Sequence, residues 1–293
     1  MVLLLLSILS STTIFVVFKL SERLRVRTLP IITINYTVAT LLGFFLANKK
    51  EYNYNILDQN WLWLGVIIGI FYIVMFFLLA KSTKTAGITP TTIAAKMSVI
   101  FPIALSISIE PNDTLTPIKL SGFLLAIVAL ILATYRSEAR TGGYQKLWLP
   151  IILFVGMGIT DSLVKYAQSV FITDNLTAIF TSLVFATSGI IGYLIVLSKE
   201  EERIELLRIR TLLVGTILGI ANFGSAYFFI AMLNHSTQYN FLTNSTLIGI
   251  NNVGIVVAST LIGLFIFNEK YSWINKVGIA ISFIAIYTLT INI

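Results

Sequence analysis

The sequence has no cysteine and a single histidine, His235. The first absence excludes disulfides, a thiolate nucleophile and Cys-ligated metals, and one imidazole cannot build an imidazole metal site. No His-Glu-x-x-His, Gly-x-Ser-x-Gly or paired-carboxylate metal motif occurs, so a membrane-embedded enzyme is a poor reading and no cofactor is implied. Charge is also scarce. Of 293 residues 11% are charged and 57% hydrophobic, with a mean hydropathy of +0.90, whereas soluble domains are nearer a quarter charged. The expected class is an integral membrane protein whose partners are the lipid bilayer and a small-molecule substrate. The net charge of +7 does not point to nucleic acid, because the basic residues lie in short loops between apolar runs, where they hold loops on the cytoplasmic face. Gly/Ser-rich linkers, low-complexity tracts and a soluble domain are all missing.

What is present is a series of ten apolar runs: Val2–Phe18, Pro30–Ala47, Trp61–Ala80, Ala86–Ile109, Ile118–Tyr135, Leu147–Gln168, Leu176–Leu197, Thr211–Leu233, Phe241–Phe267 and Tyr271–Ile293. All have helix length, and barrel strands would alternate over segments of about 10 residues. The expected fold is all-α, a polytopic membrane protein of ten transmembrane helices. Trp61, Trp63, Trp148 and Trp273 each stand at the start of a run and read as headgroup-level anchors. The opening Met-Val-Leu-Leu-Leu-Leu, without a basic leader or small-residue cleavage site, reads as a retained first span. Counting Lys and Arg, fifteen fall in the odd-numbered loops and four (Lys49, Lys50, Lys119, Lys165) on the other side. That excess places the odd loops in the cytoplasm and both termini outside. The charged loop Ser198 to Arg210 reads as a solvated connector with a basic end facing anionic headgroups, the alternatives being an interfacial amphipathic helix or a lipid-binding patch.

The two halves repeat. Gly65-x-x-x-Gly69 in the third run matches Gly215-x-x-x-Gly219 in the eighth, and each step lets helix backbones approach closely. Glu110 closes the fourth run and is followed by Ile118-x-x-x-Gly122; Glu269 closes the ninth and is followed by Ile274-x-x-x-Gly278. Lys19 ends the first run as Lys165 lies in the sixth. Five spans per half is an odd number, so the second copy enters from the opposite side, and the expected domains are two inverted five-helix repeats over 1–135 and 147–293, joined by a loop over 136–146. Inverted repeats place a substrate site near the midplane.

With these closures, the chain resembles the drug/metabolite transporter superfamily, EamA type, over essentially its whole length. The resemblance implies secondary transport of small metabolites such as amino acids, nucleotide-sugar-like compounds or drugs, in a bacterial inner (plasma) membrane, as a monomer or weak homodimer. Two features depart from that family: many relatives carry an Arg in the second span, where this chain has Asn35-Tyr36, and members usually keep both termini in the cytoplasm.

Polar groups inside the runs are few. Lys96 sits near the middle of the fourth run, where an ammonium costs from about 2.5 to more than 10 kcal/mol unless it faces protein or water. Its functional reading is a cation attracting a carboxylate or phosphate; its structural reading is a lysine paired with an acid or with helix carbonyls. Asp161, inside the sixth run, could carry a coupling proton or neutralise Lys96, or form a local pair with Lys165 one turn later. Ser245, Asn252 and Ser259 recur every seven residues along the ninth run, with Asn244 and Asn251 beside them, and this stripe reads as a cavity wall or as interhelical glue. Asn35 and Tyr36 are candidates for the same wall. Pro90 and Pro102 bracket Lys96 and are expected to kink the span. Glu110 and Glu269 read as caps or hinges at helix ends, and His235 as a surface residue. The function these residues suggest is an alternating-access carrier. A channel or an exchanger without ion coupling is the alternative, although no ring of like charges or carbonyl filter loop is visible.

Overall fold

In hydrocarbon every backbone N–H and C=O must be satisfied within the protein, and a helix does this inside one segment. The computed structural model describes residues 2–47, 59–109, 116–134, 148–172, 176–234 and 244–290, and the regular structure of these residues is entirely helical. In chain order the helices are α1 Val2–Arg23, α2 Thr28–Leu46, α3 Leu62–Thr85, α4 Ile88–Met97, α5 Ile100–Ile109, α6 Pro117–Thr134, α7 Trp148–Val170, α8 Thr177–Leu197, α9 Glu200–Leu206, α10 Ile209–Asn234, α11 Asn244–Phe265 and α12 Trp273–Thr290. Eight segments are long and apolar enough to cross a membrane, with α4 and the start of α5 counted as one, Ile88–Leu105. Two further apolar helices, Leu120–Ala133 and Trp273–Thr288, are shorter. The chain is therefore a polytopic integral membrane protein. All ten apolar runs contain helix, and among the described residues the helices of the fifth and tenth runs are 18 residues each.

Proline placement explains one boundary that the run lengths missed. Pro30, Pro90 and Pro150 are each the third residue of a helix and Pro117 is the first, positions where the N–H would be unpaired in any case. Pro90 thus starts α4 rather than kinking it. Pro102 is likewise the third residue of α5, but α5 follows α4 after only two residues, within one apolar span. Its ring opposes the carbonyl four residues back, that of Ser98, and the helix breaks there: Ser98 and Val99 form a turn, closed by Val99 N–H donating to the Lys96 carbonyl at 3.3 Å.

The chain forms two compact units, Met1–Ala80 with Leu163–His235, and Lys81–Ser162 with Ser236–Ile293. Neither is a sequence half; each draws spans from both. In the first unit the contacts are reciprocal. A Cβ on Gly69 of α3 would lie 2.7 Å from the Val184 carbonyl oxygen and 2.7 Å from Thr187 Cβ of α8. A Cβ on Gly219 of α10 would lie 2.7 Å from the Asn35 carbonyl oxygen and 2.7 Å from Val38 Cβ of α2. Likewise Gly43 of α2 abuts Ser182 of α8, while Gly192 of α8 abuts Thr33 of α2. The helix directions follow from these registers. With Gly65 on Leu183 and Gly69 on Thr187, α3 runs parallel to α8; with Gly215 on Ile34 and Gly219 on Val38, α10 runs parallel to α2. Since α2 and α8 are antiparallel, α3 and α10 are antiparallel too. Tyr36 and Phe185 meet at the crossing of α2 and α8, with ring centroids 5.9 Å apart.

The second unit is built on α6 and α12. Ala126, Ala129 and Ala133 of α6 are buried, as is Ala285 of α12. A Cβ on Gly278 would fall 2.3 Å from the Ala133 backbone nitrogen, so the two helices touch backbone to backbone there. The Asn275 amide adds donors to the Leu132 and Ala133 carbonyls at 3.2 and 3.1 Å.

One tryptophan does not behave as expected. Trp63, Trp148 and Trp273 are exposed, in keeping with anchors, but Trp61 is 2% exposed. Its ring packs edge-on against Phe180 with Leu64, Ile68 and Ile179 in the same cluster. Residues two apart on a helix face about 200° apart, so of Trp61 and Trp63 only one can look outward at the start of α3.

Candidate functional site

The candidate site lies in the second unit and is assembled from the N-terminus of α4 inward. Gly87 precedes that helix with φ 103°, a conformation that suits glycine, and a Cβ there would sit 2.8 Å from Glu269 Oε1. Glu269 accepts from the Ile88 N–H at 2.6 Å and the Thr89 N–H at 3.4 Å. It therefore caps α4 with a negative charge at the positive end of the helix. Tyr271 donates to Glu269 at 2.6 Å and meets the Thr89 hydroxyl at 2.6 Å. Burial and the adjacent Glu269 carboxylate raise the Tyr271 phenol well above its ordinary value, so it stays a donor. Gly263 of α11 leaves room for this cap, since a Cβ would lie 2.7 Å from the Tyr271 oxygen and 2.8 Å from Glu269. Ser82 meets Thr91 at 2.8 Å on the other side. The expected capping role of Glu269 is what the geometry shows; Glu110 and His235 lie outside the described residues.

From that fixed end α4 runs inward for ten residues. Ile88, Thr89, Thr91, Thr92, Ile93, Ala94, Ala95 and Met97 are all buried, and Lys96 alone in its last turn is half-buried. Eight residues, about 12 Å, separate Lys96 from the start of the span Ile88–Leu105, and nine from its end. It is at mid-depth, where α4 ends. A cation at that negative end is favoured.

Asp161 comes to the same place from α7. It is the fourteenth residue of 23 in that helix, again at mid-depth. Gly158, one turn earlier, packs on the ring of Phe101 of α5; a Cβ would lie 2.2 Å from that ring. Phe101 also packs edge-on against Phe154 at 5.3 Å, so α7 is pressed against the broken span just before Asp161. There the carboxylate comes near the Ser98 hydroxyl and within electrostatic reach of Lys96. Ser98 also reaches the Ala95 carbonyl at 2.5 Å. A hydroxyl has one proton, so Ser98 can serve the carbonyl or the carboxylate but not both. Lys96 and Asp161 are each half-buried.

The amides of α11 line up with this level. Gly263 packs on Thr89, and α11 runs back from there against the direction of α4, which brings Asn251 and Asn252 to the height of residues 100 and 101. Both are buried, at 3% and 7% exposure, and the Asn251 Oδ1 has no hydrogen-bond partner among the described residues. Ser259 is buried and bonded to the Val256 carbonyl at 3.1 Å. Asn244 opens α11, and its side chain lies outside the described residues, as does that of Ser245.

The remaining candidates belong to the first unit. Asn35 is fully buried and, with its amide correctly turned, donates to the Leu218 carbonyl at 3.1 Å and meets the Asn222 amide at 3.2 Å, tying α2 to α10. Tyr36 is fully buried between Phe76 and Phe185, its hydroxyl facing Ser188 without good hydrogen-bond geometry. Lys165 donates to Gln168 at 3.3 Å, and Gln168 in turn donates to Asn234 at 3.2 Å. The described residues contain no cluster of metal-ligating side chains.

Sequence reasoning missed Ser98, Gly158 and Phe101. A signal for the first existed: proline at position 102 has no N–H to give the carbonyl at 98, which accepts from Phe101 N–H at 3.0 Å instead, and so marks the break beside Lys96.

No family model matches the sequence. The chain is similar to an uncharacterized protein of Haemophilus influenzae, 26% identical over 290 residues that cover 97% of this chain and 95% of that protein. Among solved crystal structures, one aligns with 99% of this chain and 95% of its own at a TM-score of 0.61 and 16% identity. At that identity the likeness extends to the fold, and it takes in nearly every span.

Proposed function

We propose that the chain is a secondary transporter of the drug/metabolite transporter, EamA type, an alternating-access carrier moving a small polar or anionic metabolite across the bacterial inner membrane. One observation carries this reading: an ammonium and a carboxylate, Lys96 and Asp161, lie within electrostatic reach of each other at mid-depth beside a span broken before Pro102. Ionisable groups inside spans mark substrate and ion pathways, and discontinuous helices at the midplane form carrier sites. In the empty carrier Asp161 neutralises Lys96. An incoming carboxylate or phosphate competes for the ammonium, and Asp161 then takes a proton or turns to Ser98. Asn251 and Asn252 supply amides for substrate hydroxyls or carboxylates.

The ten-span inverted repeat is part of the proposal. Its support is the reciprocity of the first unit: Gly43 on Ser182 against Gly192 on Thr33, and Gly69 on α8 against Gly219 on α2. The positions 33 and 182, 43 and 192, and 36 and 185 are each separated by 149 residues. Helices α3 and α10 run in opposite directions, as inverted copies require.

The test begins with a thermal-shift screen of purified protein against metabolite classes, since a ligand raises stability in proportion to ln(1 + [L]/Kd). Counterflow of a hit into liposomes follows. Saturable counterflow is the expected result, and conductance without saturation would make the protein a channel. Lys96→Met should abolish binding of anionic hits with membrane expression intact; retained uptake rejects the role. Asp161→Asn should remove the pH dependence of transport, and an unchanged pH profile rejects proton coupling there. With the odd loops cytoplasmic, a reporter active only outside the cytoplasm should work when fused to the C-terminus.

A further inference from the structure

A second polar recess lies in the first unit, away from Lys96 and Asp161. It is a cavity of about 300 Å³ where the end of α1 meets the start of α10, lined by Arg23, Leu24, Arg25, Val26, Glu205, Arg208 and Arg210. Glu205 is the one acid among the lining residues and is already engaged: it is 6% exposed, pairs with Arg208 at 2.8 Å and accepts from Thr211 at 3.1 Å, so it leaves the charges of Arg25 and Arg210 unbalanced. The cavity therefore holds an excess of positive charge in rigid, forked donors suited to a phosphate.

The backbone adds an independent observation. Helix α1 closes with Val26 N–H donating to the Ser21 carbonyl at 3.0 Å and Arg25 N–H to the Glu22 carbonyl at 3.1 Å. This is the Schellman arrangement, whose left-handed residue is usually glycine. Here that residue is Arg25, at φ 54°. A side chain held where glycine would be easier is a strain that function can explain, and this guanidinium lines the cavity. Around the rim the surface is apolar and open: Leu24, Ile204, Leu207 and Ile209 are 39%, 55%, 78% and 67% exposed. Leu24 directly follows α1 and Ile209 opens α10, at the ends of spans, where headgroups meet acyl chains.

We propose that this recess binds the phosphate of an anionic phospholipid, with the acyl chains lying on Leu24, Leu207 and Ile209. A free phosphate ester shares the headgroup chemistry but gains nothing from the apolar rim, which is why the lipid is the favoured source. The lipid would clasp the α1–α2 turn to the α9–α10 turn from the bilayer side, where Arg27 already ties the start of α2 to Glu201 and Glu202 of α9.

The experiment uses the full chain in nanodiscs of phosphatidylcholine alone or with a minor fraction of phosphatidylglycerol, read by thermal shift, and native mass spectrometry to detect retained lipid. Phosphatidylglycerol should raise the Tm of the wild type, while inorganic phosphate or glycerol 3-phosphate should not. Each arginine near an anionic lipid contributes enough that its loss weakens binding about fivefold. Arg25→Gly should therefore reduce lipid retention about fivefold, while its Tm in phosphatidylcholine alone equals or exceeds that of the wild type, because the backbone strain is relieved. Arg210→Gln, which leaves the turn untouched, should show the same loss. An equal Tm rise in wild type and both variants would overturn the site, as would no rise in any. A full rise from phosphate or glycerol 3-phosphate alone would overturn the lipid as the ligand.

Discussion

A single missing side chain can place a charge as firmly as a charge partner does. Gly158 lets α7 rest on Phe101, and Asp161 follows one turn later on the same face. An alanine there puts a methyl within 2.2 Å of the ring, so the ring or the helix must move. Gly158→Ala is expected to destabilise the protein by about 1–3 kcal/mol, the usual range for overpacking, and to weaken binding of anionic ligands. Thermal unfolding and a ligand shift on the same sample check both effects. Unchanged ligand binding at lowered stability would mean that the contact holds the fold without aiming the carboxylate. Asn35 is the opposite lesson. From its residue type it reads as a substrate group, yet Asn222 on α10 engages its amide, and nothing in the local sequence reveals a partner so distant along the chain.

Among the elements, the break between α4 and α5 sets the character of the site. Proline inside a helix removes a hydrogen bond and crowds the carbonyl four residues earlier, at a cost of about 3 kcal/mol. Its persistence at mid-depth argues that the broken span is used. Pro102→Ala should let the ladder continue through Ser98 and raise stability by about 1–3 kcal/mol, while transport falls because the break beside Lys96 closes. Unfolding curves and counterflow rates on one preparation measure the trade. A variant both more stable and fully active would remove the break from the mechanism. The other end of α4 is held by a residue far off in sequence, Glu269. The Gly87 that makes room for it shows in the sequence as a lone glycine between charged and apolar stretches, a weak sign of a helix start.

At the scale of the molecule, the reciprocal glycine contacts tie distant spans together. If Gly69 and Gly219 are equivalent positions of two inverted copies, Gly69→Leu and Gly219→Leu should each cost about 1–3 kcal/mol or somewhat more, and the two losses should match to within about 1 kcal/mol. Unequal losses in thermal or denaturant unfolding would mean that the likeness of the two contacts is coincidental. The compact units do not follow the sequence halves, because each half leaves faces that only spans of the other half cover: α3 packs on α8 and α10 on α2.

The amino-acid sequence by itself determined the membrane class, the helical secondary structure and the positions of the buried charges. All three rest on composition and on runs of apolar residues, which act locally and need no partner. The sequence also marked Glu269 as a helix-end residue and Lys96 as a group needing a polar interior. Only the tertiary structure decided which charge comes near Lys96, which tryptophan turns inward, and which asparagine serves packing rather than an open wall. These outcomes depend on how close two helices come and on which faces meet, and those distances are set by small residues on partners 60 to 180 positions away.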